Sequence, residues 1–133
     1  MAMRNSLRAA APFAVPLAVM AAIFAFSAMP SDGVDRGPLM LVARKIAHFV
    51  EYFVLCAAWW WALRTRVGGR QALAPAVAIS IGYAISDELH QTLVDGRVGT
   101  WRDVLIDSAG VLTAALTIHR LRARRRDRAT ARR

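Results

Sequence analysis

An all-α fold, an integral membrane four-helix bundle with both termini in the cytoplasm, is what three observations in this sequence predict. Of the 133 residues, 56% are hydrophobic. They fall into four apolar blocks, at about residues 9–29, 46–63, 72–89 and 104–118. Each block is near the roughly 20 residues that a helix needs to cross a ~30 Å hydrocarbon core. Backbone polar groups find no water in lipid, so segments of this length are expected to be helices. Finally, the basic residues are unevenly distributed between the segments that join the blocks. The same composition excludes intrinsic disorder for the bulk of the chain, and Cys56, the single cysteine, excludes a disulfide framework. The length excludes a two-domain soluble enzyme.

The first block has no charge in its interior. Its basic lead-in also fits a signal peptide, with Ala25-Phe26-Ser27 as a cleavage site, but the block exceeds an h-region of about 7–15 residues. It is therefore expected to stay as a helix, with Pro12 and Pro16 accommodated by its neighbours. In the second block, Trp59, Trp60 and Trp61 precede Arg64, as in an aromatic belt at the cytoplasmic interface, and Trp101 would mark the opposite one. The third block repeats small residues at Ala74, Ala78, Gly82 and Ser86, and the fourth at Gly110 and Ala114. Such stripes allow close helix approach. They are expected to pack within the bundle, dimerisation being the alternative.

Orientation follows from the basic residues. Arg4 and Arg8, then Arg64, Arg66 and Arg70, then eight arginines from Arg120 onward place thirteen on one side. Arg36, Arg44, Lys45, Arg97 and Arg102 place five on the other. Residues 120–133 hold a net +7 of the chain's +9. This tail is expected to be a disordered cytoplasmic topology anchor attracting anionic lipid headgroups. Nucleic acid is not an expected partner, because the run lacks aromatic platforms. Residues 1–119 form the expected transmembrane domain.

Ionisable residues at membrane depth are functional candidates by default. Lys45, His48, Glu51, Asp87, Glu88, His90, Asp103 and Asp107 all fall at the outer ends of the last three helices. Lys45, His48 and Tyr52 share one stripe. Tyr83, Asp87 and Gln91 share another, with His90 beside it, and Asp103, Asp107 and Gly110 share a third. The cheapest arrangement turns all three stripes inward, where Lys45, Arg97 and Arg102 could neutralise carboxylates. Plain structural readings stand beside these. Thr100-x-x-Asp103 is a capping-box variant, Arg44 and Lys45 could snorkel, His119 is a flank and Cys56 a packing residue. No HExxH, CxxC, GxSxG or P-loop pattern occurs, so no metal and no cofactor is assigned.

The same residues carry a family resemblance. Phe26-Ser27 with Pro30, then Lys45-x-x-His48-x-x-x-Tyr52, look like the first half of the VanZ-like membrane family. Ser86-Asp87-Glu88-x-His90-Gln91, Gly96-Arg97-x-Gly99 and Asp103-x-x-x-Asp107-x-x-Gly110 are similar to its second half. The chain departs locally at Thr92-Leu93-Val94-Asp95, where an aromatic and often a proline are expected. The resemblance implies a small multi-pass protein of the bacterial cytoplasmic membrane. The family's namesake is associated with reduced susceptibility to the glycopeptide antibiotic teicoplanin. Three roles remain open on the residues. The first is an outward pocket for a lipid headgroup, a lipid-linked envelope precursor or a glycopeptide, built from Lys45, Tyr52, His90, Gln91, Arg97, Asp103 and Asp107. The second is a hydrolase or transferase acting on a lipid-linked substrate. In it His48 or His90 is the base, Asp87 or Glu88 its partner, and Arg97 stabilises developing charge. The third is a scaffold whose polar cluster only fixes helix register.

Overall fold

The structure is a computed structural model that describes residues 2–31 and 37–132, with side chains from residue 10 onward. Arg36 and Arg133 of the orientation count lie outside the described residues, as do the side chains of Arg4 and Arg8. Four α-helices and no strand are found among the described residues: α1 (Ala2–Ser27), α2 (Gly37–Val67), α3 (Leu73–Gln91) and α4 (Trp101–Thr130). Helix α1 passes through Pro12 and Pro16 without interruption. Two helices, α1 and α4, are long and apolar enough to cross a membrane; α2 and α3 do not meet the same measure. Lys45, His48, Glu51 and three tryptophans lower the hydropathy of α2, and Asp87, Glu88, His90 and Gln91 that of α3.

Helix α2 is the hub. It packs on the other three helices, most extensively on α4, while the α1 and α4 backbones do not approach one another among the described residues. Gly110 explains the α2–α4 seam: a Cβ added there would lie 2.2 Å from the Phe49 carbonyl oxygen. Only a bare Cα lets the two backbones approach this closely. Tyr52, Leu55, Cys56, Val111 and Ala114 fill the core around that contact.

The core is otherwise made of small and polar residues, among them Ala76, Ser80, Ala84, Asp87 and Asp107. The large apolar side chains point the other way. Leu17, Ile46, Leu89, Leu105 and Leu116 are each more than half exposed, so every helix carries apolar bulk on its outer face. A water-soluble bundle has the opposite distribution.

Two expectations are corrected. Ala74, Ala78, Gly82 and Ser86 are exposed on the outer face of α3, and a Cβ at Gly82 would meet nothing. The stripe that packs inward is Ala76, Ser80, Ala84 and Asp87. The reason is that Asp87 and Gln91 must face the core, which turns the alternative small stripe outward. In α4, Gly110 and Ala114 are buried as expected. The basic tail is also not an irregular segment, since α4 continues through it to Thr130. Its mix of Arg, Ala and Leu has high helix propensity, and the preceding apolar turns supply the nucleus.

Candidate functional site

One end of the bundle collects the polar residues. It is formed by the C-terminal ends of α1 and α3, the N-terminal halves of α2 and α4, and the α3–α4 loop. The arrangement begins with Asp87, which is buried on the inward face of α3. The Ser27 hydroxyl donates to its Oδ1 at 2.6 Å, and the Gln91 amide donates to its Oδ2 at 3.0 Å. Glu88, one position on, accepts from the Thr100 backbone N–H at 2.7 Å. This bond ties the α3–α4 loop onto the helix it has just left.

The loop itself is held by Arg97. Its Nε donates to the Met29 carbonyl at 2.7 Å, its Nη2 to the Phe26 carbonyl at 2.6 Å and its Nη1 to the Gln91 side-chain oxygen at 3.4 Å. A fork of fixed donors thus grips the chain at and just beyond the end of α1, where carbonyls still have acceptor capacity. Partial burial, then the charge of nearby Arg44, lowers the Arg97 pKa from its ordinary value. Gly96 makes the approach possible. Its φ is +70°, and a Cβ would sit 2.1 Å from the Ser31 carbonyl oxygen.

On α4, Thr100 is the N-cap and its side chain accepts from the Asp103 N–H at 3.3 Å. The Thr100 hydroxyl also lies 3.0 Å from Asp103 Oδ2. Asp103 in turn pairs with Lys45 of α2. Thr100 is thus the cap, its own N–H being taken by Glu88 rather than by Asp103, and Asp103 joins α4 to α2 through Lys45. Thr100→Ala is expected to cost about 1 kcal/mol, read as a lower thermal unfolding midpoint of the purified protein.

One turn deeper, Asp107 is fully buried. His48 Nδ1 stands 3.3 Å from its Oδ1, yet neither Asp107 oxygen nor His48 Nδ1 has a hydrogen-bond partner of good geometry. His48, Glu88 and Asp107 come from three different helices, and their potential ligand atoms all lie within 4.8 Å of one another.

Two adjoining cavities open beside this cluster. One, of about 260 Å³, is lined by Arg44, Lys45, His48, Gln91, Arg97 and Asp103 among others. The second, of about 240 Å³, is lined by Ser27, Arg44, His48, Glu51, Arg97 and apolar residues of α1. Arg44, His48 and Arg97 border both.

The sequence-derived candidates thus divide. Lys45, His48, Gln91, Arg97 and Asp103 line a cavity, and Asp87, Glu88 and Asp107 lie behind them. The nearest carboxylate partner of His48 is Asp107, while Asp87 is engaged by Ser27 and Gln91. Tyr52 is fully buried and its hydroxyl has no hydrogen-bond partner, so it belongs to the core. His90 stacks on Phe24 of α1, with ring centroids 4.6 Å apart. Ser27, visible in the sequence only as part of Phe26-Ser27, bonds Asp87. Arg44, for which the sequence offers only a snorkelling role, borders both cavities.

At the opposite end, the Trp60 indole donates to the Gly69 carbonyl at 2.8 Å and lies under Arg64 and Arg122. This joins the basic stretch of α4 to the α2–α3 loop.

Four helices that bury carboxylates behind a cavity lined by cations and a histidine, with apolar bulk facing outward, define an inside-out helical bundle with one polar end. The sequence profile described as VanZ/LLP1 matches residues 4–122, and the chain belongs to that family. No curated protein and no solved structure matches the chain.

Proposed function

We propose that this protein is a multi-pass bacterial membrane protein whose polar end faces outward and binds the anionic headgroup of a cell-envelope lipid or lipid-linked precursor. The observation that carries this reading is the pair of adjoining cavities bordered by Arg44, His48 and Arg97, with Lys45 at the rim of the larger. Guanidinium and ammonium groups beside a concave, partly apolar surface suit a phosphate or carboxylate attached to a hydrocarbon chain. Of these cations, Arg97 is engaged by the Met29 and Phe26 carbonyls and Lys45 by Asp103, which leaves Arg44 as the primary anion contact, with Lys45 beside it.

Two features support membrane insertion. The outward apolar side chains on all four helices match a hydrocarbon solvent. Furthermore, α1 and α4 each suffice to span it. In this reading α2 and α3 also span, their polar side chains partnered on α1 and α4. The basic end, with Arg64, Arg66 and Arg70 and the arginines of α4, faces the cytoplasm. A role in susceptibility to glycopeptide antibiotics would follow from binding an envelope precursor at this pocket.

The test uses the full chain purified in detergent and analysed by native mass spectrometry for co-purifying lipid. The double variant Arg44→Gln/Lys45→Gln is expected to lose at least about tenfold of the bound anionic lipid at unchanged abundance. Equal retention in the variant would remove the reading. Orientation is checked with Val98→Cys, a highly exposed loop position. A membrane-impermeant maleimide should label it on intact spheroplasts, and protection there would overturn the outward assignment.

A further inference from the structure

We propose that His48 of α2, Glu88 of α3 and Asp107 of α4 form a binding site for one divalent transition-metal ion of the zinc or manganese class. The geometry points to it first. Candidate donor atoms of the three residues lie within 4.8 Å of one another. Ligands at 2.0–2.2 Å from a tetrahedral ion stand roughly 3.3–3.6 Å apart, so a shift of about 1 Å in side-chain position closes the set around an ion.

The second observation is independent of proximity. Asp107 is fully buried, and both of its carboxylate oxygens lack a hydrogen-bond partner. His48 Nδ1 is buried and equally unsatisfied, and it faces the same oxygen at 3.3 Å. Buried polar atoms are normally paired, and a fully buried carboxylate held by no more than one poorly aligned imidazole contact is an exception. An ion between His48 and Asp107 would satisfy both residues at once.

The third observation concerns charge. Asp87, Glu88 and Asp107 are all buried at this end of the bundle. The basic side chains nearby are directed elsewhere: Lys45 pairs with Asp103, and Arg97 donates to the Met29 and Phe26 carbonyls and to Gln91. The partners of Asp87 are the neutral Ser27 and Gln91 side chains. Ionising several buried carboxylates around one imidazole is costly in a medium that penalises charge. A divalent cation compensates that charge in the space available.

Chemistry narrows the ion. One imidazole nitrogen with two carboxylate groups suits zinc, manganese or ferrous ions rather than the soft ions that select thiolates. Thr100 N–H and the Gln91 amide already orient the Glu88 carboxylate, as supporting hydrogen bonds do around metal ligands. His48 also lines both cavities, so the ion would stand directly behind the pocket wall. The inference does not depend on headgroup binding, since the ion is bound by different residues.

The experiment strips the full-length detergent-purified protein with chelator and titrates it with Zn²⁺, and separately with Co²⁺ as an optical probe. One equivalent per chain and a Co²⁺ d–d absorption band are expected. His48→Ala, Glu88→Gln and Asp107→Asn are each expected to weaken binding at least about 100-fold, while Asp95→Asn, an exposed loop carboxylate, binds as the parent does. Arg44→Gln/Lys45→Gln should keep metal affinity, which separates failure of this site from failure of the anion pocket. Helicity by circular dichroism accompanies each variant. If Asp107→Asn does not fold, the parent titration together with His48→Ala decides. Absence of a stoichiometric site in the parent, or parent-like affinity in any folded ligand variant, overturns the proposal.

Discussion

Gly110→Leu is expected to abolish accumulation of the folded protein, and Gly110→Ala to lower its thermal midpoint sharply. The two α-helical backbones meet at this position. A Cβ would stand 2.2 Å from the Phe49 carbonyl oxygen and 3.2 Å from the Phe53 nitrogen. Backbone atoms cannot rotate aside as a flexible side chain can, so α2 and α4 must separate. Overpacking a core typically costs about 1–3 kcal/mol for added methylenes, and a clash against backbone belongs at or beyond the upper end. Separation would also carry Asp107, one turn from Gly110, away from His48. Even the alanine variant should therefore lose site function along with stability. The readout is the amount of monodisperse protein extracted from membranes, with Cys56→Ala as a comparison from the same core. A Gly110→Ala protein with parental abundance and thermal midpoint would show that the seam is loose.

Arg97→Ala is the second large effect. The guanidinium makes two short bonds to the Met29 and Phe26 carbonyls and a third, longer one to Gln91. Hydrogen bonds to charged groups contribute about 1.5–3 kcal/mol each, but this residue is only partly buried. A total loss of about 2–4 kcal/mol is expected. Lysine should not rescue it, because one ammonium cannot reproduce the fork that reaches residues 26 and 29 together. Proteolysis of the α3–α4 loop in the folded protein measures the effect, with faster cleavage expected in both Arg97→Ala and Arg97→Lys. Equal protection of Arg97→Lys would mean that charge, not fork geometry, holds the loop.

Much of this architecture was legible in the sequence. Four apolar blocks marked four helices, because long uncharged runs have few alternatives. The clustering of Lys45, His48, Asp87, Asp103 and Asp107 at one end followed from counting along those helices. Partner choice was not legible. Helical periodicity places Asp87 and Asp107 on inward faces, but it does not say that Ser27 reaches Asp87 or that His48 meets Asp107. Those contacts depend on helix rotation and axial register, which Gly110 and the Arg97 fork set through long-range contacts. Arg97 shows the difference well. A cation in a polar cluster is expected to serve carboxylates or substrate; its sequence position does not reveal that it also reaches the Phe26 and Met29 carbonyls. The α3 stripe failed for a related reason. Two small-residue faces were available on that helix, and only the need to bury Asp87 and Gln91 decides which one turns inward.

The uneven hydropathy of the four helices has a consequence for how the chain is made. On the proposed membrane reading, α1 and α4, the two helices long and apolar enough to cross, enter as autonomous spans. Helices α2 and α3 carry their costliest residues at neighbouring ends, and a loop of only five residues joins them, from Gly68 to Ala72. They are suited to partition together as a hairpin, whose polar side chains then await their partners, Asp87 its partner on α1 and Lys45 and His48 theirs on α4. Ser27 would then meet Asp87 as the hairpin docks on α1, and the buried acid of α4 would arrive last. On that reading, biogenesis proceeds from an anchored α1 to a paired insertion, with closure of the polar chamber waiting on α4.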